Sequence, residues 1–325
     1  MDTQLALKVR LEKDRKHIYN RSRTCLFENC RKAAIGSHVL QKRPIINSIV
    51  DNTNHFYTIK NSTLFEATAE QHFSIVKVGI DNGYKFPGFC NEHDTAIFKD
   101  IEIHPVDLFN TRNQALFTYR TICLELRKQH FYLETCESLL AAHKAIEPHK
   151  IHYSNFDGAR LAIKDLVFFK KELETELRTG VFINNLFTTV ELPERKICFS
   201  ASLTIHDPKN KHTWEYDEYG RTKTTPLAPT TLNYFPYQGK SYIILATHRA
   251  FPCYWTRRLI TNLKNTNSID KIISDILTYR LEFWGISPDL YELIPEAKKL
   301  QFMRESEGNY DNFNFDINTN FNLFK

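Results

Sequence analysis

Two short segments in the first third of the sequence, CLFENC and GFCNEHD, carry residue types that bind metal ions. Together they contribute Cys25, Cys30, Cys90 and His93. Zinc favours thiolate and imidazole ligands, and four of them close a structural tetrahedral site. We therefore expect these residues to form a structural zinc site. The alternative is that they are four unrelated buried residues of a cysteine-containing protein.

A helix is needed to position the second pair of ligands. The segment CNEHDTAIFKDIE predicts a short helix that opens at Cys90. Cys90 and His93 are three residues apart, so they share one face of the first turn, and a helix N-terminus also favours a thiolate. The first pair, Cys25-x4-Cys30, forms a knuckle that precedes the predicted strand AIGSHVLQ. A knuckle followed much later by two ligands at a helix start is the treble-clef pattern.

The other segments indicate an α+β fold. Helical periodicity predicts helices at 3–20, about 107–145, about 155–179 and within 256–300. The pattern is β-rich from about residue 181, and the Asn-rich C-terminal tail lacks a helical pattern. We predict a treble-clef zinc module at 1–104, a helical region at 105–180, and a β-rich region closed by C-terminal helices and a tail at 181–325.

The composition limits the class of protein. The chain has 325 residues, 42% of them hydrophobic, and a net charge of only +5, so it can bury a core and is too weakly basic overall to indicate nucleic-acid binding. The sequence predicts neither a signal peptide nor a membrane helix. Seven unevenly spaced cysteines indicate thiols in a reducing cytoplasm rather than a disulfide framework. Four of them, Cys123, Cys136, Cys198 and Cys253, are predicted to be small core residues.

With these residues in place, the segment 24–100 resembles the HNH endonucleases, whose ββα-metal module is a treble clef. SHV falls where that family has the strand with its general base, and CNEHD falls where its helix carries the second zinc pair. The resemblance implies that His38 is the general base. It also implies that Asp94, which follows the last zinc ligand, binds a catalytic Mg²⁺ or Mn²⁺. Glu92 or Asn91 could supply a further oxygen.

The implied chemistry is hydrolysis of a phosphodiester in DNA. A neutral His38 would take a proton from the attacking water, and a Mg²⁺ on Asp94 would stabilise charge on the phosphate and on the leaving oxygen. The chain departs from the family at two places. Ser37 stands where the family has an Asp or His, and a hydroxyl is a weaker Mg²⁺ ligand than a carboxylate. The insertion at 42–89 is long and contains no obvious family loop.

Basic residues flank the proposed site and are candidates for binding nucleic acid, DNA in the first place: Arg31, Lys32, Lys42 and Arg43, with Arg21 and Arg23 beside them. The alternative is ordinary surface charge. The pattern SHVLQK followed by GFCNEHDTAIFKDIE also resembles a group of uncharacterised bacterial proteins found among anti-phage genes. Region 105–325 would then bind a protein partner or the phage component that triggers the response.

Two hypotheses from different classes follow from the sequence. The first is a zinc-stabilised, Mg²⁺-dependent endonuclease that uses His38 and Asp94. The second is a non-catalytic treble-clef scaffold that senses or binds a protein or nucleic acid. In the second case His38 packs against the zinc site and Asp94 only complements the helix dipole. Geometry discriminates them, because the nuclease needs His38 and Asp94 to face one site with room for a metal.

Overall fold

The computed structural model describes residues 3–63, 65–66, 72–143, 154–203, 215–216, 222–223, 229–250, 254–264, 268–279, 281, 284–308 and 320–325. Within these ranges the helices are α1 (Thr3–Asn20), α2 (Asn91–Glu102), α3 (Thr111–His143), α4 (Ser154–Thr179), α5 (Tyr254–Leu263), α6 (Ile269–Tyr279), α7 (Pro288–Glu292) and α8 (Glu296–Gly308), with a 3-10 helix at Ile46–Ile49. The strands are β1 (Gly36–His38), β2 (His55–Asn61), β3 (Phe73–Gly79), β4 (Lys85–Pro87), β5 (Asn185–Pro193), β6 (Ile197–Leu203), β7 (Glu215–Tyr216), β8 (Thr222–Lys223), β9 (Thr230–Tyr237), β10 (Lys240–His248) and β11 (Gly285–Ile286). The predicted α+β class is confirmed.

One antiparallel sheet of seven strands, in the order β3-β2-β11-β6-β9-β10-β5, forms the centre of the described residues. In the long central pairings, Ile244 of β10 lies opposite Asn233 of β9 and Thr189 of β5. Strands β2 and β3 come from the segment between the two metal-binding pairs. They nevertheless join β11, which lies near the C-terminal end of the chain. The insertion at 42–89 is thus built into the main sheet, which was not predicted.

Helices cover both faces of this sheet. On β10, Ile244 faces a core shared with α3 and α4, whereas Ile243 and Leu245 face a second core shared with α5, α6 and α8. Successive side chains of a strand point to opposite faces, so a strand covered on both sides is apolar throughout. Every residue of β9 is accordingly buried. Its aromatic residues Tyr234 and Phe235 are therefore core residues, as predicted.

The long helix α3 positions the N-terminal module against the sheet. Five apolar residues that follow one another at helical spacing in its sequence are all buried: Leu116, Tyr119, Ile122, Cys123 and Leu126. The helix packs along α4 and crosses strands β5, β6, β9 and β10. The predicted helices at 3–20, 107–145 and 155–179 are thus confirmed, with bounds that differ by a few residues.

Asn110 caps the start of α3, although the predicted helix began earlier, at about residue 107. The side-chain oxygen of Asn110 accepts the main-chain N–H groups of Arg112 at 2.9 Å and Asn113 at 3.2 Å. These N–H groups have no partner within the helix, and Asn is a preferred residue for satisfying them. The helix consequently begins four residues later than residue 107.

Several strands were not predicted. The segment NSIVDNTNH, which includes the start of β2, indicates turns, and the segment DNGYKFPGF, which contains β4, indicates a loop. Strands β7, β8 and β9 were not assigned, and β11 interrupts a region predicted to be helical. The single sheet joins strands from the predicted segments 1–104 and 181–325. The helix α3, from segment 105–180, contributes to the same core as the N-terminal module. Segments 1–104 and 181–325 therefore share one sheet, and all three segments contribute to the core on one of its faces.

The cysteines outside the two metal-binding segments behave as predicted where the structure describes them. Cys123, Cys136 and Cys198 are free and buried, and burial raises the pKa of Cys123 and of Cys198 to about 12. Cys253 lies outside the described residues. Among the described helices, none combines the length and apolarity that crossing a bilayer requires.

Candidate metal centre

The first two candidate ligands lie on a knuckle that main-chain hydrogen bonds hold in shape. The N–H of Cys25 donates to the oxygen of Lys32 at 2.9 Å, and the N–H of Cys30 donates to the oxygen of Phe27 at 3.1 Å. Asn29 has a φ of 61°, a left-handed conformation that Asn tolerates better than most residues. This tight turn brings the two thiols of CLFENC to the same side of the loop.

The second two ligands lie at the start of α2. Cys90 is the N-cap residue and has an extended backbone, while the N–H of Asp94 donates to the oxygen of Cys90 at 2.9 Å. Cys90 and His93 therefore face the same side of the first turn, as the spacing predicted. The main-chain N–H of His93, directed at the Cys90 sulfur, lowers the pKa of that thiol, which is the effect of a helix N-terminus on a thiolate.

The four side chains converge on one point. The ligand atoms of Cys25, Cys30, Cys90 and His93 all lie within 4.8 Å of one another. His93 Nδ1 is 3.5 Å from Cys25 Sγ and 3.3 Å from Cys90 Sγ, and the sulfurs of Cys30 and Cys90 are 3.9 Å apart. Zinc–ligand bond lengths in a tetrahedron require about 3.5 Å between sulfur and nitrogen and about 3.8 Å between sulfurs. The donor set therefore fits a metal ion such as zinc.

The protonation state of the cluster depends on whether a cation is bound. Burial raises the pKa of Cys25 to about 11, so without a cation this thiol would be protonated at neutral pH. A bound metal ion reverses that preference, because a coordinating thiol is deprotonated outright. The ring of Phe27 packs at 4.1 Å from the ring of His93 and holds the imidazole in place. Within the described residues this is the one group of His, Cys, Asp and Glu with ligand geometry.

A buried arginine of α3 ties both halves of the cluster together. Arg127 donates from Nε to the main-chain oxygen of Pro87 at 2.8 Å and from Nη2 to that of Thr24 at 2.7 Å. Thr24 precedes the first ligand, and Pro87 lies three residues before Cys90. The position of the knuckle relative to α2 therefore depends on α3, which lies outside the predicted module.

Ser37 and His38 point to opposite faces of strand β1. β1 and β4 form a two-stranded antiparallel sheet, the small sheet, and adjacent side chains on a strand point to opposite faces. Ser37 faces inward, is buried, and accepts the N–H of Phe89 at 3.2 Å. His38 is half-buried on the other face, and no hydrogen bond in the described part of the chain joins it to a cluster ligand. The hydroxyl of Ser37 is thus committed to the fold.

His38 and Asp94 both carry a buried side-chain atom with no partner. His38 Nε2 and Asp94 Oδ1 are inaccessible to solvent, and neither makes a hydrogen bond within the described residues. Burial, followed by the charges of Lys85, Arg120 and Lys42, lowers the pKa of His38 to about 4, while the carboxylate of Asp94 opposes this shift. His38 is therefore neutral at pH 7 and lies within electrostatic range of Asp94.

Two of the four predicted nucleic-acid-binding residues are paired with acids. Lys32 forms an ion pair with Glu92, and Lys42 forms one with Asp81. Glu92, a candidate for a further metal ligand, is therefore engaged by a lysine. Arg31 and Arg43 are exposed.

The two further arginines that the sequence placed beside the site serve the fold instead. Arg23 is buried and binds Glu134 at 2.6 Å, and its guanidinium packs over Phe131. Arg21 binds the same carboxylate at 2.7 Å. These contacts connect the start of the metal module to α3, so the predicted basic wall does not include Arg23.

Sequence reasoning missed two polar residues near the candidate site. Gln41 is fully buried and donates from Nε2 to the main-chain oxygen of Ile101 at 3.1 Å. Arg120 is buried and donates to Glu102. A signal for Arg120 was present, because it lies four residues after Leu116 on the apolar stripe of α3 and so had to be buried.

Comparison of the chain with family models, with curated proteins and with solved structures finds no significant match. What the protein does is therefore inferred from the geometry of its own residues.

Proposed function

We propose that the chain is a zinc-stabilised, Mg²⁺-dependent DNA endonuclease of the HNH type that acts in bacterial anti-phage defence. One observation carries the proposal. Of the twelve buried side-chain nitrogen and oxygen atoms without a partner in the described residues, five belong to four residues around α2: His38, Gln41, Asp94 and Arg120. Buried polar groups are nearly always hydrogen-bonded, so a concentration of exceptions calls for a missing ligand, water or ion.

In this proposal Cys25, Cys30, Cys90 and His93 hold a structural zinc in a treble clef. The zinc takes no part in bond breaking. Its role is to fix the end of the small β1–β4 sheet against the first turn of α2, because the ligands come from segments that are otherwise 60 residues apart. Only in that arrangement can His38, from the small sheet, act together with Asp94, from the helix.

His38 is the proposed general base. A neutral imidazole with an unused nitrogen can accept the proton of a water molecule. The low pKa of His38 arises first from burial and then from the positive charges of Lys85, Arg120 and Lys42. A substrate phosphate would offset these charges and would bring the pKa of His38 closer to neutrality, where a general base is most effective.

Asp94 is the proposed ligand of the catalytic metal. Its buried, unpartnered oxygen fits a hard cation, because Mg²⁺ binds one or two carboxylates together with water and phosphate oxygens. When bound, Mg²⁺ or Mn²⁺ would supply charge stabilisation at the phosphate and at the leaving oxygen. Arg31 and Arg43, exposed beside the module, would contact the DNA backbone, and region 105–325 would bind a protein or phage trigger.

The test is a plasmid-nicking assay with Mg²⁺ or Mn²⁺ on the wild type, His38→Gln and Asp94→Asn, with zinc content measured on each. His55→Gln is the matched control, because it changes a histidine of the same half of the chain that bonds only its own loop. We expect the wild type and His55→Gln to cut and the other two to retain zinc without cutting. Cutting by His38→Gln at the wild-type rate would show that His38 is not the general base.

A second candidate is a non-catalytic zinc scaffold. It is favoured by Ser37, whose hydroxyl is used by Phe89, and by Glu92, which is engaged by Lys32. These contacts leave Asp94 as the only acidic side chain in the described part of the site that is available to a catalytic metal. If all variants hold zinc and the wild type cuts no DNA with any divalent ion, the scaffold is the better description, and 105–325 is where its partner should be sought.

A further inference from the structure

Arg120 on α3 is a buried cation with unused hydrogen-bond donors. Its side chain is only 2% exposed, and Nη2 donates to Glu102 Oε1 at 2.9 Å. Nε and Nη1 have no partner in the described parts of the chain. An arginine presents five N–H donors in a planar fork, and leaving several of them unsatisfied in the interior is costly unless an anion binds them.

The guanidinium of Arg120 packs against the face of α2 that carries Asp94. Asp94, Phe98 and Glu102 are spaced four residues apart, so they follow one another on a single face of the helix. The guanidinium carbon of Arg120 is 3.9 Å from the centre of the Phe98 ring, and Nη2 binds Glu102. Arg120 is therefore held one turn beyond Asp94, on the face that presents Asp94.

The charge around His38 is strongly positive. Besides burial, Lys85, Arg120 and Lys42 each act on this imidazole as cations, and Asp94 is the acid that opposes them. Lys42 has its own partner in Asp81. Several like charges close together attract a ligand of the opposite sign. The unused donors of Arg120 therefore call for an anion, whereas the unpartnered oxygen of Asp94 calls for a cation.

Resting on the nuclease function proposed above, we infer that Arg120 is the phosphate-binding residue of the site, with Glu102 as an exchangeable anion. The guanidinium fork binds carboxylate and phosphate oxygens with the same geometry. The Glu102 side chain is 42% exposed, so it can turn into solvent when a phosphodiester oxygen takes its place. Arg120 would then hold a backbone phosphate of the DNA on the face of α2 that also carries Asp94, without taking part in proton transfer.

A matched control lies on the same helix. Arg127 is also a buried arginine of α3, seven residues further along, and its exposed fraction is 5%. Its Nε and Nη2 are both used by main-chain oxygens of Pro87 and Thr24. Arg127→Lys therefore perturbs a buried guanidinium of the same helix whose role is structural.

The experiment measures binding of a short fluorescent DNA duplex without divalent cations, with inorganic phosphate as the competitor. The proteins are the full-length wild type, Arg120→Gln, Arg120→Lys, Glu102→Gln and Arg127→Lys, each checked for zinc content and folding. We expect Arg120→Gln to bind DNA about tenfold more weakly and inorganic phosphate to no longer compete with DNA for this variant. The slope of the logarithm of the binding constant against the logarithm of salt concentration, the salt slope, should fall in magnitude by about one. Arg120→Lys should be intermediate because lysine binds phosphate as a point charge. Glu102→Gln should tighten binding.

Equal DNA affinity in Arg120→Gln and in the wild type would overturn the inference. If Arg120→Gln does not fold, Glu102→Gln decides, since unchanged binding of DNA and phosphate would mean that the carboxylate does not compete with phosphate. A loss of affinity in Arg127→Lys equal to that in Arg120→Gln would assign the effect to α3 packing. If cutting depends on His38 but DNA binding does not depend on Arg120, only the inference about Arg120 is wrong. If phosphate binding depends on Arg120 but the wild type does not cut DNA, only the proposed nuclease function is wrong.

Discussion

The phenolic hydroxyl of Tyr84 donates a hydrogen bond of 2.6 Å to the main-chain oxygen of Cys198. Tyr84 directly precedes β4, and its own main-chain oxygen accepts the N–H of Val39, the residue after His38. Cys198 lies in β6, in the interior of the seven-stranded sheet. This bond joins the small β1–β4 sheet, which carries His38, to a residue 114 positions after Tyr84. The candidate site is thus anchored to the body of the protein and not only to its metal.

The substitution Tyr84→Phe should lower the free energy of unfolding by about 1–3 kcal/mol, because the buried oxygen of Cys198 loses its donor. Urea denaturation would measure the change. Tyr57→Phe is the control, since the Tyr57 ring packs against Tyr291 while its hydroxyl makes no hydrogen bond in the described part of the chain. An equal loss of stability in both variants would show that the Tyr84 bond contributes nothing specific.

Purified wild-type protein should contain about one zinc per chain, because the four ligand atoms form one tetrahedral set. Cys90→Ser should lose most of that zinc and melt at a lower temperature, since a structural metal stabilises the folded state directly. Cys136→Ser is the control: it removes a buried thiol of α3 that is not one of the four ligands, and this variant should keep its zinc. Elemental analysis and thermal melts measure both properties. A Cys90→Ser variant with full zinc content would contradict the ligand set.

Stability should depend on pH through His38. Its pKa in the folded protein is about 4, below its ordinary value of 6.5, so the unfolded chain binds more protons between these values. The stability that His38 contributes is therefore complete above about pH 6.5 and is lost progressively as the pH falls towards about 4. Urea denaturation of wild type and His38→Gln, without added divalent cations, should show a difference that shrinks in this interval. A difference independent of pH would contradict the prediction.

The four basic residues near the site should contribute unequally to DNA affinity. Arg31 and Arg43 are exposed, whereas Lys32 and Lys42 have carboxylate partners that must be given up before a phosphate is bound. We expect Arg31→Ala and Arg43→Ala each to reduce the salt slope of DNA binding by about one. Lys32→Ala should change it less.

Neutralising the acid of one ion pair provides the reciprocal measurement. Glu92→Gln releases Lys32 and should strengthen DNA binding modestly at low salt, with little effect at high salt, because exposed charges are screened. Fluorescence anisotropy over a range of salt concentrations measures all of these variants. Identical slopes for Arg31→Ala, Arg43→Ala and the wild type would indicate that this surface does not contact DNA.

The sequence by itself determined the local features of the protein. The three-residue spacing of Cys90 and His93 placed both ligands on the first turn of α2, because helix geometry relates residues three apart. The apolar stripe of α3 identified its buried face. The segments FSIVKVGI, KICFSASLTIHD and SYIILATH are typical of strands, and they contain β3, β6 and β10. All of these depend on neighbours within a few positions, where the backbone period alone fixes which side chains share a face.

Tertiary structure alone decided how distant segments meet. Nothing local to the segment 42–89 indicated that β2 would pair with β11, because strand pairing depends on which edge the rest of the sheet leaves open. The packing of α2, α3 and the small β1–β4 sheet likewise decides the inward direction of Ser37 and the ion pair of Lys32 with Glu92. It also decides that Arg120 packs over Phe98, on the face of α2 that carries Asp94. Such contacts join residues that are far apart in sequence, so they are fixed by the packing of whole elements rather than by a residue pattern.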